Sequence, residues 1–249
     1  MAIKQHDGIY CSPLLDMHPG FVHAYSTKML GDMRNKKKRE YFLRVCGLSD
    51  YSLILPKQVH GSRVVTLDSL KDHAIAIADG LVLSQSPVSD RREKIAIAVR
   101  IADCVPLLFV DPKSRISGVA HAGWRGTFAG IATNTVRAME KLGAHTEDIS
   151  VSIGPHIGMC CYDVPRDRAQ MFLNAYGNDK KIAYNDNHLW HLDIGYVNYR
   201  QLLSVGIRAD HIDVSTLCTS CQRADFYSYR RDTKATFGEM IGLVAFCGT

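Results

Sequence analysis

Three short segments place a metal-type ligand at the end of an apolar, strand-like stretch. They read Gln58-Val59-His60-Gly61, Ala102-Asp103-Cys104-Val105-Pro106 and Ala120-His121-Ala122-Gly123-Trp124-Arg125-Gly126. Two imidazoles and one thiolate form a good zinc coordination set, and three protein ligands leave a fourth position open for water or substrate. We therefore take His60, Cys104 and His121 as candidate ligands of a catalytic zinc. They are widely spaced and form no local finger pattern, so a half-buried histidine, a core cysteine and a turn histidine remain an alternative.

A Cys-x-x-Cys motif at Cys218 and Cys221 is the more obvious metal-type pattern. A structural zinc site needs a second ligand pair, however, and the sequence has no other Cys-x-x-Cys or His-x-x-x-His pair. We interpret these two cysteines as thiols in a turn, with a redox pair as the alternative. The adjacent Cys160 and Cys161 belong to a Gly/Pro-rich loop, which is compatible with a structural turn or with close approach of its backbone to a ligand.

Positively charged side chains offer two candidate anion contacts. Arg125 precedes a helix expected to begin at Thr127, so its guanidinium and the unpaired helix N–H groups could converge on one phosphate. Arg230 and Arg231 follow Phe226-Tyr227-Ser228-Tyr229, whose rings could stack on a base. An exposed strand end would show the same residues, so the pattern at 226–231 alone does not distinguish a binding site from an exposed strand end.

Short strands and a few helices must position these side chains. Strands are expected at 53–55, 63–67, 80–83, 95–101, 106–110, 116–121, 149–153, 212–217, 226–229 and 241–246. Thr127 is expected to cap a helix that closes at Gly143, and two further helices are expected at 166–175 and 196–206. Several strands run consecutively, which argues against a regular βαβ winding. No composition shift or repeat marks a boundary, so we expect a single domain, residues 1–249.

Composition and charge exclude several classes of protein. The 249 residues are 46% apolar and 22% charged, which rules out disorder, and no apolar run approaches the roughly 20 residues of a membrane span. The net charge of +5 is mild, and the only basic run, at 36–39, has no interleaved aromatic residues. We interpret that run as a solvated helix face and expect no nucleic-acid partner. The N-terminal segment carries charges where a secretion signal would be apolar, which favours the cytoplasm.

Six motifs taken together, in this order and spacing, resemble the YfiH-like family, long labelled polyphenol oxidase or laccase domain. They are Gln58-Val59-His60-Gly61, Ala78-Asp79-Gly80, Ala102-Asp103-Cys104-Val105-Pro106, His121-Ala122-Gly123-Trp124-Arg125-Gly126, Gly154-Pro155-His156-Ile157-Gly158 and Ser228-Tyr229-Arg230-Arg231-Asp232. The resemblance runs from about residue 20 to the C-terminus. It implies a single-domain α+β fold of mixed sheets flanked by helices, similar to the deamidase domain of cytotoxic necrotizing factor.

The resemblance also implies a metal and a set of activities. Zinc is expected on His60, Cys104 and His121, which would also be the catalytic residues, and copper is the alternative ion. The family's activities include phosphorolysis of adenosine, inosine, guanosine and methylthioadenosine, deamination of adenosine and, under the older label, copper-dependent phenol oxidation. Some bacterial members are linked to editing of peptidoglycan precursors. The expected partners are a purine nucleoside and phosphate, and our own hypothesis from the residues is that Arg125, Arg230, Arg231 and His156 bind them.

Two positions depart from the family's usual pattern. Tyr162-Asp163-Val164 stands where Tyr-Glu-Val is usual, which keeps a carboxylate that is one methylene shorter. Gly238-Glu239 stands where Gly-Arg is usual, which reverses a charge. Any anion contact made there would therefore fall to Arg125, Arg230 and Arg231.

Two reactions could use a zinc ion on this trio. In deamination, an open-site zinc lowers the pKa of its bound water to about 7, and the hydroxide attacks C6 of adenine. A general acid must then protonate the departing ammonia, and Asp79, Asp103 and His156 are candidates that spacing cannot rank. Phosphorolysis instead needs a phosphate held beneath C1′ of the ribose, which arginines would position.

Three other functions compete with these reactions. A laccase needs several coppers and His-x-His pairs, and none occurs in the sequence, so oxidase activity is expected to be adventitious even if one copper binds the trio. Cys104 with His121 as its base would form a cysteine hydrolase, possible in the editing of peptidoglycan precursors. A metal-stabilised interaction module would have no enzymatic activity.

Overall fold

Two six-stranded mixed sheets and one three-stranded sheet form the framework. A computed structural model describes residues 4–67, 76–85, 94–186 and 188–248. Its strands are β1 (Lys4–His6), β2 (Ile9–Cys11), β3 (Phe21–Ser26), β4 (Ser52–Ile54), β5 (Val64–Leu67), β6 (Gly80–Ser84), β7 (Ile95–Ile101), β8 (Val105–Asp111), β9 (Ile116–Ala122), β10 (Ser150–Ile153), β11 (Asp163–Val164), β12 (Ala183–Asp186), β13 (Leu189–Leu192), β14 (Ile212–Val214) and β15 (Met240–Phe246). The first sheet has the order β1-β2-β3-β15-β7-β4, the second β14-β10-β8-β9-β6-β5, and the third β11-β13-β12. Both large sheets combine parallel and antiparallel pairs.

The helices lie outside the two large sheets. They are α1 (Lys36–Val45), α2 (Trp124–Phe128), α3 (Ile131–Glu140), α4 (Arg166–Tyr176) and α5 (Ile194–Ser204). The side chain of Asn35 caps α1 by accepting a hydrogen bond from the Lys37 N–H. The lysines of the basic run are exposed on α1, which confirms the solvated helix face predicted for them. Among the described residues, no helix has the length and apolar character to cross a membrane.

Three apolar clusters divide the structure into four layers. One cluster joins the facing sides of the two large sheets and includes Leu108 and Val244. A second packs α1 against the outer face of the first sheet through Phe42, and a third packs α3 to α5 against the outer face of the second sheet. Within β8, Leu107 contributes to the helix side and Leu108 to the sheet side. Because the strand is buried on both faces, it reads as a continuous apolar run rather than an alternating one.

The structure corrects several local predictions while retaining the central strands. The segment 226–229 is irregular rather than a strand, and β14 ends at Val214. The helix expected to start at Thr127 is two helices, because α2 begins at Trp124 and Gly130, with φ +79°, separates it from α3. Only glycine adopts this left-handed conformation without steric cost, so the chain turns there. The N-terminal strands and the three-stranded sheet were not anticipated, because most of their segments are only two to four residues long.

Candidate metal centre and substrate cavity

Two loops and the end of strand β9 bring the candidate ligands together at one end of the second sheet. Cys104 precedes β8 and His121 lies in β9, and the antiparallel register of these strands places Pro106 opposite His121. His60 is in the loop between β4 and β5. Side-chain nitrogen and sulfur atoms of His60, Cys104 and His121 all lie within 4.8 Å of one another. The structure thus assembles the three residues that the sequence could only name separately.

Asp79 orients two of these three residues. It lies immediately before β6, is fully buried, and its Oδ1 is 2.9 Å from Nδ1 of His121. Its carboxylate also accepts hydrogen bonds from the backbone N–H groups of His60, at 2.9 Å, and Gly61, at 2.7 Å. Because Nδ1 of His121 faces a carboxylate, its Nε2 is the nitrogen left for the cluster, as in many histidine metal ligands. Asp79 is therefore a positioning residue rather than an accessible general acid.

The backbone around the trio adopts conformations that L-residues rarely take. His60 has φ +59° and Asp103, next to Cys104, has φ +91°. Such strain is commonly kept at functional sites, where surrounding contacts hold it in place. A Cβ added at Gly123 would lie 3.1 Å from Cδ2 of His60 and 3.2 Å from Sγ of Cys104. Glycine at this position therefore leaves room for the three side chains to converge.

Mutual interactions favour a thiolate at Cys104. Burial by itself would raise the pKa of the Cys104 thiol, but the charge and hydrogen bonds of His121 and His60 lower it to about 6. Burial opposes protonation of His121, yet the Cys104 thiolate and the Asp79 carboxylate raise its pKa to about 9. Hydrogen bonds from His121 and from neighbouring N–H groups outweigh burial and keep the pKa of Asp79 below its ordinary value. The cysteine is thus prepared to act as a metal ligand or as a nucleophile.

The trio opens onto a cavity of about 800 Å³, large enough for a nucleoside. Its walls combine aromatic rings with guanidinium groups, which come from Trp124, Tyr162, Tyr229, Phe237, Arg100, Arg125, Arg168 and Arg230. Tyr229 is 76% exposed, and its ring meets that of Phe237 edge to face, with ring centres 5.7 Å apart. This cavity can accept a flat, partly apolar molecule that carries or accompanies an anion.

Two arginines lie over the same tryptophan ring. The guanidinium carbons of Arg125 and Arg168 are 4.5 and 4.2 Å from the ring centre of Trp124. Neither forms an ion pair with a carboxylate of the residues that the structure describes. Two like charges held near one another without a counter-ion attract an anion. Sequence reasoning missed Arg168, because it lies in α4, outside the six motifs, and an arginine in the first turn of a helix carries no distinctive signal.

The other two predicted arginines have different surroundings. Arg230 lines the cavity, and its guanidinium forms an ion pair with Asp163 at 3.0 Å. The guanidinium of Arg231 donates hydrogen bonds to the backbone carbonyls of Thr219, Ser220 and Phe226 and to Asp232. It does not line the cavity, so it stabilises the surrounding loops.

Asp103 and His156 were candidates for chemistry, and each has a different setting. Asp103 accepts hydrogen bonds from the Thr219 hydroxyl at 2.6 Å, the Ser228 hydroxyl at 3.0 Å and the Arg230 N–H at 2.7 Å. It thereby fixes the loop that carries Arg230. His156 is buried and lines a second cavity of about 380 Å³, with its Nδ1 2.8 Å from the carbonyl oxygen of Gly154. The structure does not bring His156 to the cavity of the trio.

The charge-reversed position also lines the cavity. Glu239 lies 3.4 Å from a guanidinium nitrogen of Arg100, so the two charges largely offset each other. Gln58, from the first motif, exchanges two hydrogen bonds with the backbone of Arg100 at 2.8 and 2.9 Å. The glutamine thus ties the His60 loop to β7. The anion-attracting character of the cavity rests on Arg125 and Arg168.

Comparisons with known proteins find similar sequences over most of the chain. A family model described as multi-copper polyphenol oxidoreductase laccase matches residues 30–247. Purine nucleoside phosphorylase YlmD of Geobacillus stearothermophilus is 35% identical, over 76% of this chain and 70% of its own. Adenosine deaminase RL5, of an unknown prokaryotic organism, is 32% identical, over 72% of this chain and 70% of its own.

Solved structures share the whole fold. The crystal structure of YlmD from Geobacillus stearothermophilus superposes with a TM-score of 0.82 at 29% identity and covers 98% of both chains. That of the hypothetical protein YfiH from Bacillus licheniformis gives a TM-score of 0.81 at 26% identity and covers 97% of both chains. The expected single-domain α+β fold of mixed sheets is confirmed.

Proposed function

We propose that this chain is a zinc-dependent purine nucleoside phosphorylase that also deaminates adenosine. The chain belongs to the YfiH-like family, whose model is described as multi-copper polyphenol oxidoreductase laccase. The observation that carries the proposal is the convergence of His60, Cys104 and His121 on one nucleoside-sized cavity. The printed names of two relatives, a purine nucleoside phosphorylase and an adenosine deaminase, support the two activities. The substrates are a purine nucleoside and phosphate.

The donor set fits a zinc ion. His60, Cys104 and His121 supply two imidazole nitrogens and a sulfur whose pKa is already lowered, and the absence of a side chain at Gly123 leaves space between them. Bound zinc would supply a Lewis acid beside the substrate. Copper is an alternative ion for the same donors, because copper(II) binds nitrogen and sulfur ligands more tightly than zinc does.

The residues around the trio would hold the substrates. The guanidinium groups of Arg125 and Arg168 would bind phosphate as a pair, and Arg230 stands at the same cavity. The exposed ring of Tyr229, supported by Phe237, offers a face on which a purine can stack. Holding phosphate and nucleoside together makes the attack on C1′ effectively intramolecular, which lowers the entropic part of the barrier.

Product analysis tests the proposal. Adenosine is incubated with zinc-loaded protein, with and without phosphate, and the products are separated by chromatography. We expect phosphate-dependent adenine and ribose 1-phosphate, together with inosine from deamination, and we expect the Cys104→Ala variant to form neither. Unchanged adenosine with the metal-loaded protein would contradict the proposal. Product formation by the variant would separate the chemistry from the trio.

A cysteine hydrolase is the second candidate, because Cys104, His121 and Asp79 have the order of a nucleophile, its base and an orienting carboxylate. Metal binding and nucleophilic attack require the same thiolate. In zinc-loaded protein, Cys104 should resist iodoacetamide until a chelator is added. Immediate alkylation of Cys104 in the zinc-loaded protein would favour the hydrolase.

We further propose that the protein works in the cytoplasm. All eight cysteines are free thiols in the structure, which is typical of proteins in a reducing compartment. Mass spectrometry of protein alkylated at the moment of cell lysis would show eight modified cysteines if no disulfide forms in the cell, provided that bound metal is first removed.

A further inference from the structure

Four cysteines outside the substrate cavity meet at the surface of the molecule. Cys160 and Cys161 lie in the loop between β10 and β11, and Cys218 and Cys221 lie in the loop that follows β14. Backbone hydrogen bonds between the loops bring them together, since Thr219 N–H donates to the carbonyl oxygen of His156 at 2.9 Å. All four sulfur atoms lie within 4.8 Å of one another. The adjacent pair thus supplies the second ligand pair that the Cys-x-x-Cys motif lacks in the sequence, and the earlier interpretation as two thiols in a turn was incomplete.

The sulfur atoms are spaced as the corners of a zinc site are. Sγ of Cys160 lies 3.8 Å from that of Cys161 and 3.7 Å from that of Cys221, and the Cys161–Cys221 separation is 3.4 Å. A tetrahedron of sulfurs at about 2.3 Å from a central zinc has edges of about 3.8 Å. The four-cysteine cluster, Cys160, Cys161, Cys218 and Cys221, therefore needs only small side-chain adjustments to enclose one ion.

We propose that the four-cysteine cluster binds one Zn²⁺ through four thiolates. Tetrahedral sets of four sulfur ligands are typical of zinc sites and of iron–sulfur clusters, and a single ion closed in by four thiolates is typical of structural zinc. The backbone N–H of Gly158 points at Sγ of Cys218 at 3.2 Å, as N–H groups do around metal-bound thiolates. Because all four positions are taken by the protein, the site is closed and its role is structural.

The proposed zinc would hold the substrate cavity in shape from outside. Thr219, between the two cysteines of one loop, donates its hydroxyl to Asp103, the neighbour of Cys104. The same loop receives two hydrogen bonds from Arg231 through the carbonyls of Thr219 and Ser220. On the other loop, Tyr162 follows the adjacent cysteines and lines the cavity. An ion that fastens these two loops together therefore stabilises both the thiolate side of the trio and one wall of the cavity.

Zinc content in the absence of the first site tests this proposal. The His60→Ala/Cys104→Ala double variant removes two ligands of the trio, and the protein is purified with reductant and dialysed in metal-free buffer. Elemental analysis should find about one zinc per chain in this variant. Adding Cys221→Ser should reduce the content to near zero, whereas adding Cys247→Ser, an exposed cysteine far along the chain from the cluster, should leave it at one.

X-ray absorption at the zinc edge identifies the ligands without relying on a variant of the cluster. In the His60→Ala/Cys104→Ala protein, we expect a shell of four sulfurs at about 2.3 Å and no nitrogen. Less than half an equivalent of zinc in this folded protein, iron in its place, or a disulfide among the four cysteines in freshly prepared protein would overturn the proposal. Failure of the nucleoside reactions alone would not affect it, because the two sites are measured separately.

Discussion

The trio of His60, Cys104 and His121 and the four-cysteine cluster are built from similar side chains but differ in what surrounds them. The trio has three ligands, a buried orienting carboxylate and an open cavity lined with arginines and aromatic rings. The cluster has four ligands, two of them exposed, and its partners are backbone groups. An incomplete ligand set beside a cavity is suited to chemistry, whereas a complete set between two loops is suited to stability.

This comparison teaches that ligand identity is a weaker guide than ligand number and surroundings. The trio contains the more strained backbone, with positive φ at His60 and Asp103. Strain of this kind must be supported by neighbouring structure, and the loops tied at the four-cysteine cluster provide part of that support through Asp103. The proposed closed site would therefore help to hold the backbone next to Cys104 in place, through the hydrogen bond between Thr219 and Asp103.

The largest expected effect separates the two sites by activity and stability. Cys104→Ser should lower the rate of nucleoside turnover by more than the roughly 100-fold that loss of an outer partner costs. Its melting temperature should fall less than that of the Cys221→Ser protein, because the trio would hold its ion through three protein ligands and the cluster through four. Cys221→Ser should retain measurable turnover but lower the melting temperature by about 10 °C, because a metal present at ~1,000 times its Kd stabilises by about 4 kcal/mol.

Calorimetry and steady-state assays on both variants, with Cys247→Ser as the control, give this comparison directly. If Cys104→Ser lost its stability while Cys221→Ser lost only turnover, the assignment of chemistry to the trio and structure to the cluster would have to be reversed.

The sequence named the trio as candidate ligands because its residues stand near the ends of apolar strands, but only the family resemblance singled them out from the other histidines and cysteines. The loops brought together in space were harder to anticipate. Cys160 and Cys161 are adjacent, a spacing that ligand-pair rules do not cover, so the four-cysteine cluster was visible only once β10 and β14 were seen to pair. Arg168 was missed for the same reason, since only packing of α4 brings it over Trp124.

Some site predictions depended on the orientation of a side chain, which a sequence does not specify. His156 follows a strand end like the trio, yet its ring points toward α5, where Gly195 has no side chain and a Cβ would lie 2.2 Å from its Nε2. Arg231 is adjacent to Arg230 but points toward backbone carbonyls instead of the cavity.

The central strands of the fold were predictable because their apolar runs are long. The segment at 226–229 has strand-like residues, but it has no strand partner in the described structure and is irregular.

A third group of potential metal ligands, Cys11, Asp16 and His23, differs from both sites in its hydrogen bonding. Nε2 of His23 accepts a hydrogen bond from the Ser12 N–H at 2.8 Å, so this nitrogen is not available to a metal, although Cys11 and Asp16 lie nearby. Burial lowers the pKa of His23 to about 4, despite the opposing charges of Asp16 and Asp213.

The lowered pKa predicts an acid-sensitive stability that does not depend on metal. The neutral form of His23 is favoured in the folded state, so its contribution is fully present above the unfolded pKa of 6.5 and is lost as the pH falls toward 4. The free energy of unfolding should fall by about 3 kcal/mol across this range from His23 alone. Denaturant titrations at several pH values, with and without chelator, measure it. A His23→Gln variant that kept the same pH dependence would show that another group is responsible.

Asp79→Asn should weaken the open site and leave the closed one intact. The amide retains the size of the side chain but removes the negative charge that orients His121, so zinc affinity at the trio should fall by about 10- to 100-fold. Chelator competition measures this change, with Cys221→Ser as the background so that only the trio binds metal. Asp50→Asn, which alters an exposed carboxylate paired with Lys94, is the matched control. Equal zinc affinity in the Asp79→Asn and Asp50→Asn proteins would mean that Asp79 does not position the ligands.

Arg168→Ala tests the part of the comparison that concerns substrate, and its effect should be the smallest. Removing one of two guanidinium groups from a partly solvated site should raise the Michaelis constant for phosphate by about tenfold, with a much smaller effect on that for nucleoside. Arg125→Ala should act in the same way, because both groups lie over Trp124. Arg166→Ala removes an exposed charge from the same helix and should change neither constant. A phosphate dependence that is identical in the Arg168→Ala and Arg166→Ala proteins would remove the arginine pair from the phosphate site and leave Arg230 as the remaining cavity arginine among those the sequence singled out.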